Sequence, residues 1–215
     1  MTTAVKICGL KTAETIDAAV AGGADFVGLV FFQPSPRNVT PQQAAPLAAL
    51  AHGRAQVVAL MVDPDDALIA EVVAATRPDL LQLHGSESVA RVVEVKARFG
   101  VPVMKAIKVE TAEDAAGALI YAGVAERILF DAKAPKGLTG VLPGGNGLSF
   151  DWRMLEGVKD QVPWMLSGGL TPGNVATAIR LTGARAVDVS SGVEIRPGEK
   201  DVKLIAAFLA AAKTA

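Results

Sequence analysis

The strongest constraint on this chain is an alternation. Short runs of Val, Ile, Leu and Phe are followed by Ala-rich stretches of helical period, eight times over. The strand-like runs are Val5–Cys8, Phe26–Phe32, Gln56–Val62, Leu80–Leu83, Val103–Ile107, Arg127–Asp131, Trp164–Leu166 and Ala186–Val189. Most are continuously apolar rather than alternating, the pattern of parallel strands covered on both faces. The helical stretches between them carry start signals. Thr12 precedes Ala13–Ala21, and Thr40 precedes a proline at the first position of Pro41–Leu50. Asp63-Pro64 opens a run to Ala75, and Ser86-Glu87 one to Phe99. Thr111 with Asp114 is an acidic analogue of a capping box. Phe150–Val158, Thr171-Pro172 to Thr182, and Asp201–Lys213 complete the set.

Strand starts recur at intervals of roughly 20 to 37 residues, one βα unit each, and eight consecutive units point to a closed barrel. The expected fold is therefore α/β, a single-domain (β/α)8 TIM barrel over residues 1–215. An open doubly wound sheet would carry a nucleotide fingerprint near its first turn, and no G-x-G-x-x-G follows the first strand. No domain linker is visible. The longest irregular piece, Ala132–Ser149, is rich in Gly and Pro and long enough to serve as an active-site loop or lid.

Bulk composition narrows the function. Apolar residues form 51% of 215, enough to bury a full core and too many for a disordered chain. The net charge of −1, with Lys and Arg scattered, leaves no footprint for nucleic acid or an anionic membrane. One cysteine forms no internal disulfide, which fits a reducing compartment. The first residues lack a signal-peptide pattern, and no apolar run approaches the roughly 20 residues of a membrane span. The expectation is a soluble cytoplasmic protein.

In such barrels function sits at the C-terminal strand ends, and there the unusual polar residues gather. Strand one ends at Cys8-Gly9, and strand two runs into Ser35-Pro36-Arg37. Strand four ends Gln82-Leu83-His84-Gly85, and strand six ends at Asp131. Strand seven ends Ser167-Gly168-Gly169, and strand eight ends Asp188-Val189-Ser190-Ser191-Gly192. Glycines after strand seven and Ser-Ser-Gly after strand eight expose backbone N–H groups, and a short helix starting near Ser191 would aim at the same spot. These are the ingredients of a phosphate site at Gly168, Gly169, Ser190, Ser191 and Gly192; the plainer reading is a turn and a cap.

Other residues also read two ways. Cys8 is either a small buried hydrophobe or a catalytic thiol. Asp131 is either a general acid, favoured in its protonated form by an apolar strand, or a loop cap paired with Lys133. Arg37 is either a solvated charge or a bidentate clamp for a carboxylate. His84 is either a polar wall of the pocket or structural, whereas His52 reads as solvated at a helix end. Two distant histidines and one Cys make no zinc pattern. Lys6, two residues before Cys8, should share its face and help hold a thiolate.

Taken together, these residues resemble those of the phosphoribosylanthranilate isomerases of tryptophan biosynthesis over essentially the full length. The resemblance rests on Lys6-Ile7-Cys8-Gly9-Leu10, Ser35-Pro36-Arg37, Gln82-Leu83-His84-Gly85, Asp131, Gly144-Gly145-Asn146-Gly147 with Phe150-Asp151-Trp152, Ser167-Gly168-Gly169-Leu170 with Asn174, and Asp188-Val189-Ser190-Ser191-Gly192-Val193-Glu194. Asn146 stands where that family more often has Thr or Ser.

The resemblance implies an Amadori rearrangement of N-(5-phosphoribosyl)anthranilate. Asp131 would be the general acid and Cys8 the general base, with Arg37, His84, Gln82 and Asp188 contacting substrate. The two glycine-bearing loops would hold the phosphate. It implies no cofactor and no metal, because the iminium formed on ring opening is its own electron sink. The partner expected is the small-molecule substrate, with the chain a monomer or homodimer. A thiol base also implies that the ordinary thiol pKa of about 8.5 is lowered, or that proton exchange is coupled to Asp131.

Rival phosphate-binding barrels fit less well. A synthase of the indole-glycerol-phosphate type needs a catalytic Lys with Glu partners; Lys105 and Lys108 lie near strand five without Glu at neighbouring strand ends. An epimerase needs paired Asp with His metal ligands. A barrel that merely binds a phosphorylated ligand has no use for both a proton donor and a proton acceptor at the rim.

Overall fold

The computed structural model describes residues 2–133, 144, 145 and 147–215. Most of the expected lid, residues 134–143, lies outside the described residues, as does Asn146.

The chain runs β1 (Ala4–Cys8), α1 (Ala13–Ala21), β2 (Phe26–Phe31), α2 (Pro41–Ala51), β3 (Gln56–Met61), α3 (Asp66–Thr76), β4 (Leu80–Leu83) and α4 (Val89–Phe99). It continues through β5 (Val103–Val109), α5 (Ala112–Gly117), β6 (Arg127–Ala132), β7 (Trp164–Leu166), α6 (Val175–Thr182) and β8 (Ala186–Val189). After β8 come two short strands, β9 (Glu194–Arg196) and β10 (Glu199–Lys200), and finally α7 (Val202–Lys213). The eight expected strands pair in parallel and in sequence order, and β8 closes onto β1 with Lys6 opposite Asp188. Among the described residues no helix is long and apolar enough to cross a membrane.

Local chemistry sets the helix starts. The side chains of Thr12 and Thr40 accept from the N–H of Thr15 and Gln43, and Thr40 with Gln43 forms a full capping box. Thr111 and Asp114 form another. Three starts fall later than the sequence suggests. The third helix begins at Asp66 because Asp63 adopts φ 45°, outside the helical region, and Asp65 supplies the cap. The fourth begins after Ser88, because Glu87 turns inward to accept from the N–H of Asp63 at 2.8 Å and of Gly85. The sixth begins at Val175 rather than after Thr171-Pro172. There Asn174 accepts from Thr171 N–H and donates to the Gly169 carbonyl, closing a turn before the helix. In place of the helix expected over Phe150–Val158 there is a 3₁₀ turn, Trp152–Leu155, where Asp151 bonds the N–H two residues on.

The core has two shells. The larger lies between sheet and helices and includes Val5, Ile7, Ile16, Leu29, Val57, Phe130 and Phe208. The smaller fills the barrel itself with Phe26, Val58, Leu80, Met104, Leu129, Met165 and Ala186. Side chains alternate across a strand. The inward positions above this apolar plug are therefore Lys6 and Cys8 on β1, Gln82 then His84 after Leu80, Asp131 after Leu129, and Asp188 after Ala186. The barrel is hydrocarbon at its base and polar at its catalytic rim.

On the opposite side of β5, Lys105 points into the helix layer. Its ammonium lies 3.0 Å from Glu87 Oε2 and donates to the carbonyls of Gly85 and Ala106 at 2.8 and 2.9 Å. Tyr121 O–H donates to the Glu87 carbonyl at 2.7 Å. Lys105 thus does have a Glu partner, in the β4–α4 loop and not in the barrel mouth. Removing one member of such a buried pair strands the other. Lys105→Met should lower unfolding free energy by about 3–5 kcal/mol in urea titrations, and adding Glu87→Gln should recover part of that loss.

Candidate active site

Cys8 closes β1 facing inward, paired in register with Gly28 of β2. A β-carbon at Gly28 would stand 2.8 Å from Cys8 Sγ and 3.0 Å from its Cα, so only glycine leaves room for the thiol. Below it, the fully buried Lys6 donates to Asp188 Oδ1 at 2.8 Å, and Ser167 Oγ donates to Asp188 Oδ2 at 3.0 Å. Burial alone would push the Lys6 ammonium down, but the charge of Asp188, then Cys8, outweighs it and the net direction is up. The Cys8 thiol is pushed above its ordinary value. Burial is the main cause, partly offset by Lys6 and Lys200 and reinforced by Asp188. The expected lowering is therefore not a property of the resting site. Lys6 does favour the thiolate, but desolvation of a buried sulfur is the larger effect.

Asp131 stands at the end of β6. Its Oδ1 accepts from Ala132 N–H at 2.9 Å, and its Oδ2 lies 3.3 Å from His84 Nε2. Lys133 pairs instead with Asp114 and Glu110, which removes the ion-pair reading of Asp131. Gln82 Nε2 donates to His84 Nδ1 at 2.9 Å, which places the ring proton on Nε2. That Nε2 is near enough to Asp131 for attraction but finds no hydrogen-bond partner among the described residues. It is a buried donor aimed where a ligand oxygen can meet it. Gln82 is fully buried, one inward step below His84, and its amide braces the His84 ring. Gly144 covers the pair: a β-carbon there would come within 2.8 Å of both Asp131 Oδ2 and His84 Nε2. His52, by contrast, ends α2 with its Nε2 2.9 Å from the Thr76 carbonyl oxygen, away from the mouth.

Arg37 is buried, not solvated. Its Nε and Nη2 donate to the two carboxylate oxygens of Glu194, each at 2.8 Å, and Nη2 also donates to the Gly145 carbonyl at 3.0 Å. Glu194 in turn receives Lys200 Nζ at 2.7 Å. Burial pushes the Glu194 carboxyl up, but Arg37 and Lys200 together carry it below its usual value. Neither Glu194 nor Lys200 was singled out from sequence for this role, although Glu194 closes the Asp188–Glu194 stretch. The legible signal was the Pro197-Gly198 turn following it, which folds β9 and β10 into a hairpin.

The loops after β7 and β8 meet. Gly168 and Gly169 both take positive φ, at 88° and 64°. A β-carbon on Gly192 would lie 1.9 Å from the Leu170 carbonyl oxygen, so the two loops touch backbone to backbone. Among the described residues, the N–H groups of Gly168, Gly169, Ser191 and Gly192 meet no backbone acceptor. The expected short helix near Ser191 is a single 3₁₀ turn of three residues, Ser191–Val193. The loops therefore offer individual N–H groups for an anion rather than a helix dipole.

One cleft brings these parts together. Cys8, Arg37, His84, Asp131, Asp188, Gly168, Gly169, Ser190 and Ser191 all line it. Phe32, Leu60 and Val62 give it an apolar side. It holds a thiol, a carboxyl with an imidazole beside it, a guanidinium, and a nest of N–H groups. Such a set can exchange protons with a ligand that carries an anionic group at each end. Among the described residues no group of three or more His, Cys, Asp or Glu is placed to hold a metal ion.

Comparison with known proteins agrees with that chemistry. The family model described as N-(5'-phosphoribosyl)anthranilate (PRA) isomerase matches residues 5–211. The N-(5'-phosphoribosyl)anthranilate isomerase of Rhodopseudomonas palustris (strain BisA53) is 59% identical over 209 residues, covering 97% of this chain and 95% of that one. The crystal structure of phosphoribosyl anthranilate isomerase from Thermotoga maritima superposes with a TM-score of 0.88 at 34% identity, over 99% of this chain and 100% of its own. A second structure of such an enzyme, in complex with reduced 1-(o-carboxyphenylamino)-1-deoxyribulose 5-phosphate, gives 0.86 at 33% identity over the same shares.

The charges beneath Cys8 make its reactivity a direct readout. Iodoacetamide alkylation followed against pH should give a Cys8 midpoint above that of a free thiol. Lys6→Met should move the midpoint further up and Asp188→Asn should move it down, because the two charges act on the sulfur with opposite sign. Profiles of both variants that overlay the parent's would remove Lys6 and Asp188 from any role in setting the thiol.

Proposed function

The chain belongs to the N-(5'-phosphoribosyl)anthranilate isomerase family and is an isomerase of tryptophan biosynthesis; on that premise we propose how its own residues divide the reaction. The observation that supports the division is one cleft holding a buried thiol and a buried carboxyl on different strands, between an N–H nest and a guanidinium.

The substrate's phosphate sits on the N–H groups of Gly168, Gly169, Ser191 and Gly192, with the Ser190 and Ser191 hydroxyls beside them. Its anthranilate carboxylate faces Arg37, and its ring lies on Phe32, Leu60 and Val62. Both anionic ends are then fixed, and the ribose spans the rim between Cys8 and Asp131.

Asp131 donates its proton to the furanose ring oxygen. The C1–O bond breaks, the freed hydroxyl stays on C4, and the nitrogen lone pair forms the C1=N iminium. His84 Nε2–H, held toward Asp131 by Gln82, supplies a hydrogen bond to the sugar oxygens at that end. Cys8 then removes the C2 proton, and the electron pair flows through C1 to neutralise the iminium, giving an enolamine. Protonation at C1 and loss of the C2 hydroxyl proton complete the aldose-to-ketose change. No electron leaves or enters, so the chemistry needs neither an oxidant nor a reductant.

The buried thiol supports one order of the steps. A buried neutral thiol is a poor base, and Cys8 gains thiolate character when a positive charge appears next to it. Ring opening generates that charge on the substrate itself. The acid step at Asp131 therefore precedes and activates the base step at Cys8.

The test follows the loss of phosphoribosylanthranilate fluorescence. Cys8→Ala and Asp131→Asn should each lower kcat by about 10²–10⁴-fold while still binding a product analogue near the parent's Kd. Undiminished kcat in either variant would remove that residue from proton transfer.

A further inference from the structure

The hairpin after β8 carries a buried cation that the proton chemistry leaves unused. Gly198, at φ +82°, turns between β9 and β10, and a β-carbon there would stand 2.4 Å from the Pro36 carbonyl oxygen. The hairpin is thus seated on the loop that presents Arg37. It delivers Lys200 to three acceptors: Glu194 Oε1 at 2.7 Å, the Ser190 carbonyl at 2.8 Å and Ser190 Oγ at 3.2 Å. Glu194 is shared, gripped from the other side by Arg37. All three charged side chains are almost wholly removed from water.

The charge count is what matters. Arg37 with Glu194 alone is a closed neutral pair, with nothing left over to attract an anion. Adding Lys200 leaves the buried assembly one positive charge in excess, and a carboxylate ligand would make it neutral. We propose that Lys200 is a positioning and specificity residue that keeps the Arg37–Glu194 pair net positive for the substrate's carboxylate, while its bonds to Ser190 tie that end of the cleft to the phosphate loop. The inference rests on the assignment of Arg37 to the carboxylate.

The groups facing Lys200 are Glu194 from β9, Arg37 from the loop after β2, Cys8 from β1, and the uncharged Ser190 after β8. Burial pulls the Lys200 ammonium down to about 8, opposed by Glu194 and Cys8 and assisted by Arg37. A lowered Lys is charged below that value and neutral above it. The excess charge is therefore present at neutral pH and lost as pH rises past about 8.

The experiment compares two unreactive ligands by calorimetry at pH 7 and pH 9. One is the reduced 1-(o-carboxyphenylamino)-1-deoxyribulose 5-phosphate, and the other is its counterpart with hydrogen in place of the carboxylate. At pH 7, Lys200→Met should lose about tenfold of the preference for the carboxylate ligand over the second, roughly one charge acting across the site. The parent should lose a similar preference between pH 7 and pH 9, and Lys200→Arg, which cannot deprotonate, should keep it at both. If Arg37→Met abolishes the preference while Lys200→Met retains it, the role of Lys200 is overturned and that of Arg37 stands. If Arg37→Met retains the preference, the carboxylate assignment falls and this inference with it. A Lys200→Arg protein whose preference drops at pH 9 as the parent's does would also overturn it, even were Lys200→Met to misfold.

Discussion

The ion pair between Lys6 and Asp188 is the contact on which the site depends. It bridges β1 and β8, the seam where the sheet closes on itself, and it forms at the level where the barrel interior changes from hydrocarbon to polar. Sealing two charges inside a barrel is unfavourable unless each finds partners. Asp188 finds Lys6 and Ser167, and the pair lies directly above residues such as Met104, Leu129 and Met165. Its position also decides the chemistry. One further inward step along β1 is Cys8, and one further along β8 is Ser190, so base and phosphate loop rise from the two halves of one salt bridge.

Because the pair is close to neutral, its influence on the sulfur is a small difference between opposed effects. Lys6 favours the thiolate, Asp188 disfavours it, and burial exceeds both. The resting site therefore holds a thiol. That is physically coherent for a catalyst whose own first step makes a cation. A permanently charged sulfur would need a permanent counter-charge, which would oppose the iminium; a neutral one becomes basic only when the substrate has been opened.

Much of this architecture was legible in the sequence, because period and punctuation are local properties. Eight apolar runs separated by capped helices fix the barrel, and side-chain alternation then places Cys8, His84, Asp131 and Asp188 on its inner face. What was not legible depends on distance across the fold. Gln82 shares a face with His84 one layer lower, and its hydrogen bond to the His84 ring is a contact that a two-residue period does not show. Glu194 and Lys200 belong to strands of three and two residues, too short for any period, and Arg37 meets them only because the hairpin folds back on Pro36. The partner of Lys105 was missed for a related reason: Glu87 lies in a loop, where sequence shows no direction for a side chain.

The displaced helix starts follow from the same demands. Three helices begin two or more residues later than their capping residues suggest, and all three follow loops on the catalytic face. In each, a side chain that could have capped the helix braces the loop instead. Asp63 accepts from Ser86 N–H, Glu87 holds Asp63 and Gly85 beneath His84, and Asn174 joins Thr171 to Gly169. A cap is worth about 1 kcal/mol, and Asp65 and Ser88 supply replacements slightly downstream. The exchange gives up little helix stability and yields fixed positions for His84 and the glycines of the N–H nest. In the loops after β1 and β2, which are not so braced, the positions are held by Gly9 against the Arg37 side chain and by Glu194 against its guanidinium. Rigidity at the rim is thus assembled from side chains withdrawn from helix capping and from one shared carboxylate, while the strands beneath keep their register by their parallel backbone ladders and the apolar packing between them.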